Sequence, residues 1–291
     1  MDGFLNLLKP PGMTSHDVVQ CVRRTLKTRS VGHTGTLDPA AAGVLVLTVG
    51  TATRLGEYLL EGDKAYRAEV TLGITTDSAD AEGVITSRGS AGEVSEAAVR
   101  AALGELTGTV TMRPPAHSAV RVNGKRLYEL ARAGEQVEAP ERVVEVREIT
   151  LLEFVPGEHG LVRFDVTCSK GTYIRSLAQM LGEKLGCGGY LSMLLRTAVG
   201  VHSINEAVTL EELAAGSAAC LMDSRRALPH LPRMTATPEQ CAALQLGQAI
   251  LTDETLGQGP VLVYNAGGQL VCLAEAQGTA RLQPKKVFIA R

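Results

Sequence analysis

The residues best suited to chemistry cluster in positions 32–54, GHTGTLDPAAAGVLVLTVGTATR. One carboxylate, Asp38, sits in a Gly/Thr-rich loop, followed at once by Pro39 and an apolar run from Ala40 to Val49. An acid left in solvent needs no such frame. A nucleophile or general base does, because its geometry and ionisation must be held. Gly32, Gly35 and Gly43 let the backbone approach a ligand closely, and His33, Thr34 and Thr36 crowd polar groups beside the acid. The competing account is an Asp-Pro turn whose carboxylate accepts backbone N–H bonds, which is the commoner use of an isolated pair. His33 fits a base, a nucleic-acid contact or a satisfied loop histidine equally well.

Two aromatic sites could serve that acid. Tyr66 lies between Lys64 and Arg67, an aromatic flanked by cations, which suits stacking on a flipped base with phosphates nearby. A strand tyrosine with a wet hydroxyl is the plainer reading. Tyr173 and Arg175 flank Ile174 at the start of a helical pattern. An arginine beside Asp38 would keep it ionised and oriented; otherwise it is a surface ion pair or a helix-end charge. Asp77, Asp80 and Glu82 suggest a metal loop but lack the EF-hand pattern, so a solvated turn is expected. Gly171-Thr172 after Lys170 has the wrong order for a Walker phosphate loop.

The elements that must position these residues follow from pattern. Phe4 to Leu8 reads as a strand, and Lys9-Pro10-Pro11-Gly12 forces a turn. Thr14-x-x-Asp17 resembles a capping box, opening a helix from Ser15 to about Lys27 with Val18, Val19, Val22 and Leu26 on one face. Arg23, Arg24 and Lys27 fall largely off that face, as a solvated surface or a phosphate-contacting one. Strands are expected at Val44–Val49, 64–73, from Gly83, at Val143–Phe154 and at Leu161–Ser169. Helices are expected at 53–60, Ser95–Leu106, 127–133, Tyr173–Leu185 and Thr209–Ala214. Asn123-Gly124 is a hairpin signal. From about residue 230 the texture changes: a helix capped by Thr237, a hairpin of Pro260–Tyr264 with Gln269–Ala276, and a closing strand at 287–289. We expect an α+β fold: a catalytic domain over 1–229 with a mixed, mainly antiparallel sheet and flanking helices, an insertion at about 107–147, and a small mostly-β domain over 230–291.

The 291 residues are 45% hydrophobic and 21% charged, with net charge −2, which suits a soluble globular chain and argues against an indiscriminate nucleic-acid binder. The six cysteines form no CxxC pair, so no metal is expected and reduced thiols in a cytoplasmic protein are. No apolar run is long enough to span a bilayer.

The motifs together resemble a known family. GHTGTLDPAAAGVL is similar to the signature loop of TruB-type tRNA pseudouridine synthases, which act on uridine 55 of the T loop. Lys9-Pro10-Pro11-Gly12-Met13-Thr14-Ser15, Lys64-Ala65-Tyr66, Arg113-Pro114-Pro115 with Val122-Asn123-Gly124-Lys125-Arg126, Ser169 to Arg175, and Leu191 to Gly200 resemble its other motifs, in family order, over residues 4–205. The tail resembles a PUA-like RNA-binding domain. The resemblance implies Asp38 as catalytic aspartate, Arg175 as its ion-pair partner, Tyr66 stacked on the target base, and Tyr173 and Leu194 lining the pocket. It implies His33, Lys9, Lys64, Arg67, Lys125 and Arg126 as RNA-facing residues, with Lys9 and Pro10 also supporting the loop. It implies no cofactor, a tRNA T stem-loop as partner, no obligate protein partner and a monomer. His117, Met112, Leu195 and Ala198 depart from the family pattern. The rival readings are a non-catalytic RNA-binding or tRNA-folding factor on the same scaffold, a synthase guided by a separate RNA, and a metal-dependent hydrolase using Asp77, Asp80 and Glu82.

Overall fold

The computed structural model describes residues 2–59, 62–115, 121–122, 125–126, 139–216, 219–278 and 280–288. One end of its main sheet is a pair of antiparallel strands, β1 (Gly3–Lys9) and β3 (Ala42–Val49). Both are apolar on both faces because both faces are covered. Leu5, Leu7, Leu45 and Leu47 meet Val18, Val19 and Val22 of helix α1 (Ser15–Thr25). Phe4, Val44 and Val46 on the other face share a core with Leu262, Tyr264 and Leu273 of the C-terminal region. The capping box at Thr14 and Asp17 starts α1 as the sequence predicts: the Asp17 amide donates to Thr14 Oγ1 at 3.1 Å and the Thr14 amide to Asp17 at 2.9 Å. The short strand β2 (Val31–His33) pairs with β3, and a 3₁₀ helix over Gly50–Leu59 follows β3 where a short helix was expected.

The chain continues through β4 (Lys64–Leu72), the small separate hairpin β5 (Ile74–Thr76) and β6 (Ile85–Arg88), α2 (Glu96–Glu105), β7 (Gly108–Met112), the separate β8–β9 pair (Arg121–Val122 with Lys125–Arg126), β10 (Arg142–Val155) and β11 (Leu161–Cys168). Helix α3 (Ile174–Lys184) leads into β12 (Gly189–Val199). Strand order in the main sheet is β1-β3-β12-β4-β11-β10-β7, with every pairing antiparallel except β12 on β3. Late-arriving β12 therefore slots between two strands formed far earlier in sequence. One face of β4, β10 and β11 packs on α2 and α3. The other carries exposed ion pairs such as Arg67–Asp165 at 2.8 Å. The helix expected at 127–133 lies outside the described residues.

After β13 (His202–Ser203), α4 (Leu210–Gly216) and α5 (Ser224–Ala227), the chain forms a second sheet. It contains β14 (Arg233–Thr235), β15 (Ile250–Leu251), β16 (Gly259–Tyr264), β17 (Leu270–Gln277) and β18 (Arg281–Val287), in the order β14-β16-β17-β18-β15, with α6 (Pro238–Gln245) capped by Thr237 and Gln240. The expected hairpin is β16–β17. The closing strand is longer and earlier than the Val287 start predicted, because Gln283-Pro284-Lys285-Lys286 hides its alternation. Lys286 ties this sheet to the 3₁₀ helix by pairing with Glu57, while Arg54 donates to the Val287 carbonyl at 2.6 Å. Among the described residues, no helix is long and apolar enough to cross a membrane.

Candidate active site

A cleft of about 650 Å³ opens at the edge where β4, β12 and the N-terminus of α3 meet the 35–38 loop. It is lined by Asp38, Lys64, Tyr66, Tyr173, Arg175 and Leu194, and also by Arg142, Lys170 and Arg196. The volume lies in the range of small-ligand sites.

The loop bearing Asp38 is held by its own backbone. Thr34 donates its amide and hydroxyl to the Val46 carbonyl, at 3.0 and 3.1 Å. Ser15 Oγ, at the start of α1, donates to the Leu37 carbonyl at 3.1 Å and accepts from the Leu37 amide at 2.9 Å. The Ala41 amide closes a turn on the Asp38 carbonyl at 3.1 Å. Lys9 is fully buried, and its ammonium donates to the carbonyls of Pro10, Pro39 and Ala41 at 2.9, 3.2 and 2.6 Å. All three ammonium donors are thus spent on carbonyls. Lys9 supports the loop and has nothing left to offer an RNA phosphate, which corrects its place among the RNA-facing residues.

Asp38 presents its carboxylate to the cleft with 41% of its side chain exposed, and its Oδ2 lies 3.2 Å from Arg175 Nε. Burial of its surroundings raises the Asp38 pKa above the ordinary value, and the Arg175 guanidinium acts against that rise. Arg175, 7% exposed, also reaches Asp80 Oδ2 at 3.3 Å and the Ser78 carbonyl at 3.3 Å. Asp80 is therefore not in a solvated turn. The 77–83 loop folds back so that Asp80 accepts from Ser78 Oγ and from the Glu82 amide, and the Leu191 amide of β12 docks on the Ala79 carbonyl at 3.0 Å. A single cation is shared by two acids, the reactive-looking one open to the cleft and the other 13% exposed.

On the other side of Asp38 lies Arg196, 1% exposed. Sequence pattern shows it only as the polar end of an apolar stretch. Register explains its place: it is opposite Gly43 on β3 and Tyr66 on β4. Arg196 donates to the carbonyls of Val44, Gly35 and Thr36 at 2.7, 3.1 and 3.4 Å, and its charge lies beside Tyr66. Gly43, at φ +116°, makes this possible, since a Cβ there would lie 2.2 Å from the Arg196 carbonyl oxygen. Tyr66 is buried and its pKa is raised by burial, so the phenol is neutral at physiological pH.

The other predicted residues divide. Lys64 reaches the cleft and its pKa is lowered by burial. Tyr173 starts α3, its amide on Met112 Sδ at 3.4 Å, which gives one of the departing positions a packing role. His33 sits on β2 with a buried, unpartnered Nδ1, and burial lowers its pKa. Arg67 points to the far face of the sheet, because side chains alternate along a strand and Tyr66 takes the cleft side. Its guanidinium forms both bonds with Asp165. Lys125 and Arg126 lie on the β9 strand, away from this constellation in sequence, and His117 is outside the described residues. Sequence reasoning gave no place in the cleft to Arg196, Ser15, Arg142 or Lys170, and read Asp80 as part of an acidic turn. A polar residue punctuating an apolar strand was the available signal for Arg196.

The cleft thus joins an aspartate paired with an arginine to two tyrosines and several cations. The comparisons give the family. Residues 23–174 match the TruB family pseudouridylate synthase N-terminal domain, residues 175–230 the tRNA pseudouridylate synthase B C-terminal domain, and residues 232–288 the pseudouridine synthase II TruB C-terminal model. The tRNA pseudouridine synthase B of Symbiobacterium thermophilum is 50% identical over 249 residues, covering 86% of this chain and 83% of its own. That of Moorella thermoacetica is 45% identical over 301 residues, covering 98% and 99%. A chain in the crystal structure of a Cbf5-Nop10-Gar1 complex superposes with TM-score 0.75 at 28% identity, covering 99% of this chain and 85% of that one. The chain belongs to the TruB family of pseudouridine synthases.

Proposed function

We propose that this enzyme converts uridine to pseudouridine at position 55 of the tRNA T loop, with Asp38 as the reacting carboxylate. The reading is supported by the Asp38–Arg175 contact at 3.2 Å inside a cleft that also holds Tyr66, and by relatives named for tRNA. In the reaction the N1–C1′ bond breaks, the base turns, and a C5–C1′ bond forms. The C5 proton leaves and N1 ends protonated, so atoms balance without a cofactor. Asp38 adds to C6 or engages C1′; both routes require an ionised oxygen facing the cleft. Burial opposes ionisation and Arg175 restores it. The target base must leave its stack to reach the acid, at a cost of a few kcal/mol, offset by contact with Tyr66, Tyr173 and Leu194. Neutral Tyr66 stacks on the target base. Lys64 faces the flipped nucleotide's phosphates, and His33 contacts the loop it vacates. Residues 230–291 serve as an accessory RNA-binding domain.

The test is tritium release from C5-labelled uridine in a tRNA transcript. Wild-type protein releases tritium; Asp38→Asn binds the transcript, folds, and releases none, a loss on the order of 10⁴-fold or more. Wild-type release from the variant sinks the assignment, and no release from the wild type favours a non-catalytic RNA-binding factor.

A further inference from the structure

The far end of α1 carries a charge cluster that the cleft does not use. Gln20, Arg23, Arg24, Lys27, Thr28 and Arg29 line a shallow surface concavity of about 480 Å³. Arg24, Lys27 and Arg29 are exposed. Among the described residues none of the four cations is in an ion pair, although the whole chain is net acidic at −2. Unpaired like charges repel, so the cluster works against the fold unless a partner or the helix end absorbs it.

The helix end accounts for part of it, since cations favour a helix C-terminus. It does not account for Lys27. The chain leaves α1 through two bonds, Lys27 amide to Arg24 carbonyl at 3.3 Å and Thr28 amide to Arg23 carbonyl at 3.1 Å. This is a Schellman ending, and its left-handed position belongs to glycine by preference. Here a lysine occupies it at φ +51°. A long cation is held out from the surface in a conformation that disfavours side chains.

Helix α1 joins the cluster to the loop that bears Asp38. Arg23 donates to the Val31 carbonyl at 3.0 Å at one end of α1, and Ser15 holds Leu37 at the other. β2 runs back alongside, from the cluster to His33. Ser15 to Arg24 spans roughly 14 Å of helix axis, the length of a few base-pair steps. We propose that Arg24, Lys27 and Arg29 form a second RNA-contact surface that grips the phosphate backbone of the stem behind the target loop. The proposal rests on the RNA substrate argued above. Phosphates rather than bases are the ligand, because an A-form stem keeps its base edges in a deep, narrow groove that side chains cannot read.

The experiment compares wild type with the triple variant Arg24→Gln/Lys27→Gln/Arg29→Gln on a tRNA transcript and on a loop-only oligonucleotide lacking the stem. The variant binds the transcript on the order of tenfold more weakly at moderate salt, and its log Kd against log salt slope falls by about three. Its affinity for the oligonucleotide and its kcat on saturating transcript are unchanged. Transcript affinity and salt slope equal to wild type overturn the proposal. So does equal weakening on both RNAs accompanied by a lower Tm, which assigns the cations to the helix end alone. Lys27→Gly separates the two roles: it raises Tm while weakening transcript binding, and unchanged binding removes Lys27 from the surface. If wild-type protein releases no tritium yet shows the charge-dependent transcript binding, the proposed reaction fails and this surface stands.

Discussion

Arg175 and Arg196 flank Asp38, and the fold uses them in opposite ways. Both are buried. Arg175 is divided between two carboxylates, those of Asp38 and Asp80. Arg196 hydrogen-bonds no carboxylate among the described residues and spends its fork on the carbonyls of Gly35, Thr36 and Val44. A guanidinium between acids sets ionisation; one saturated by carbonyls sets backbone shape. The same side chain thus tunes charge on one wall of the cleft and holds geometry on the other.

Replacing each arginine by lysine breaks the comparison most sharply, because lysine keeps charge and loses the planar fork. Arg196→Lys leaves buried carbonyls unmet, at about 1–3 kcal/mol for each group left unsatisfied, and we expect a clear drop in the denaturation midpoint together with lost activity. Arg175→Lys keeps a cation near Asp38 and loses directionality. We expect kcat to fall roughly 10–100-fold, the scale of one charge-assisted bond of about 1.5–3 kcal/mol, with a much smaller change in stability. Equal effects of the two variants on Tm would erase the distinction.

Asp80→Asn tests whether the second acid matters through Arg175. Asp80 raises the Asp38 pKa, so its neutralisation favours ionised Asp38, yet it also frees the guanidinium to drift from its 3.2 Å contact. We expect positioning to dominate, with kcat reduced about tenfold and KM for the transcript little changed. A rise in kcat would show that charge outweighs position.

The pH profile gives a smaller, signed prediction. The Asp38 pKa is raised above the ordinary 3.8 by burial. The acid limb of kcat/KM should therefore have its midpoint above that value, and Arg175→Gln should move the limb further toward neutral pH. The linked stability has the same origin. A carboxyl whose folded pKa is raised contributes stability below its unfolded pKa and loses it as pH rises through the folded one. At pH 7 Asp38 is on the costly side, so Asp38→Asn should not lower Tm; a marked fall would overturn this sign.

The smallest expected effect is at the far end of α1. Glycine at position 27 relieves a left-handed lysine, worth about 1 kcal/mol, measurable by urea denaturation.

Local signals carried much of this architecture. Thr14 and Asp17 announced α1 because a capping box is completed within four residues. The run Val44-Leu45-Val46-Leu47 announced a strand covered on both sides. The neighbours of Asp38, Tyr66 and Arg175 left plainer readings open, and only the ordered motifs implied roles for them. Asp80 and Arg196 received no such role, for a physical reason. Asp80 looked like part of an acidic turn because its partner is 95 residues away. Arg196 reaches the cleft only because β12 enters between β3 and β4, in parallel to one and antiparallel to the other. Neither choice is written in periodicity. Arg67 was misjudged for the converse reason: sequence adjacency to Tyr66 suggested proximity to the cleft, and the pleat sends it to the other face.

Gly43 shows how such an arrangement limits sequence change. Its missing side chain is the space in which the Arg196 backbone lies, and no rotamer of any other residue can vacate a position fixed at Cβ. A library randomised at this codon and selected for function should return one amino acid, while the neighbouring Ala42, partly open to solvent, should accept several. Adaptation of the cleft to another substrate would have to proceed through the residues of its rim, since the two strands behind it are closed to one another's variation.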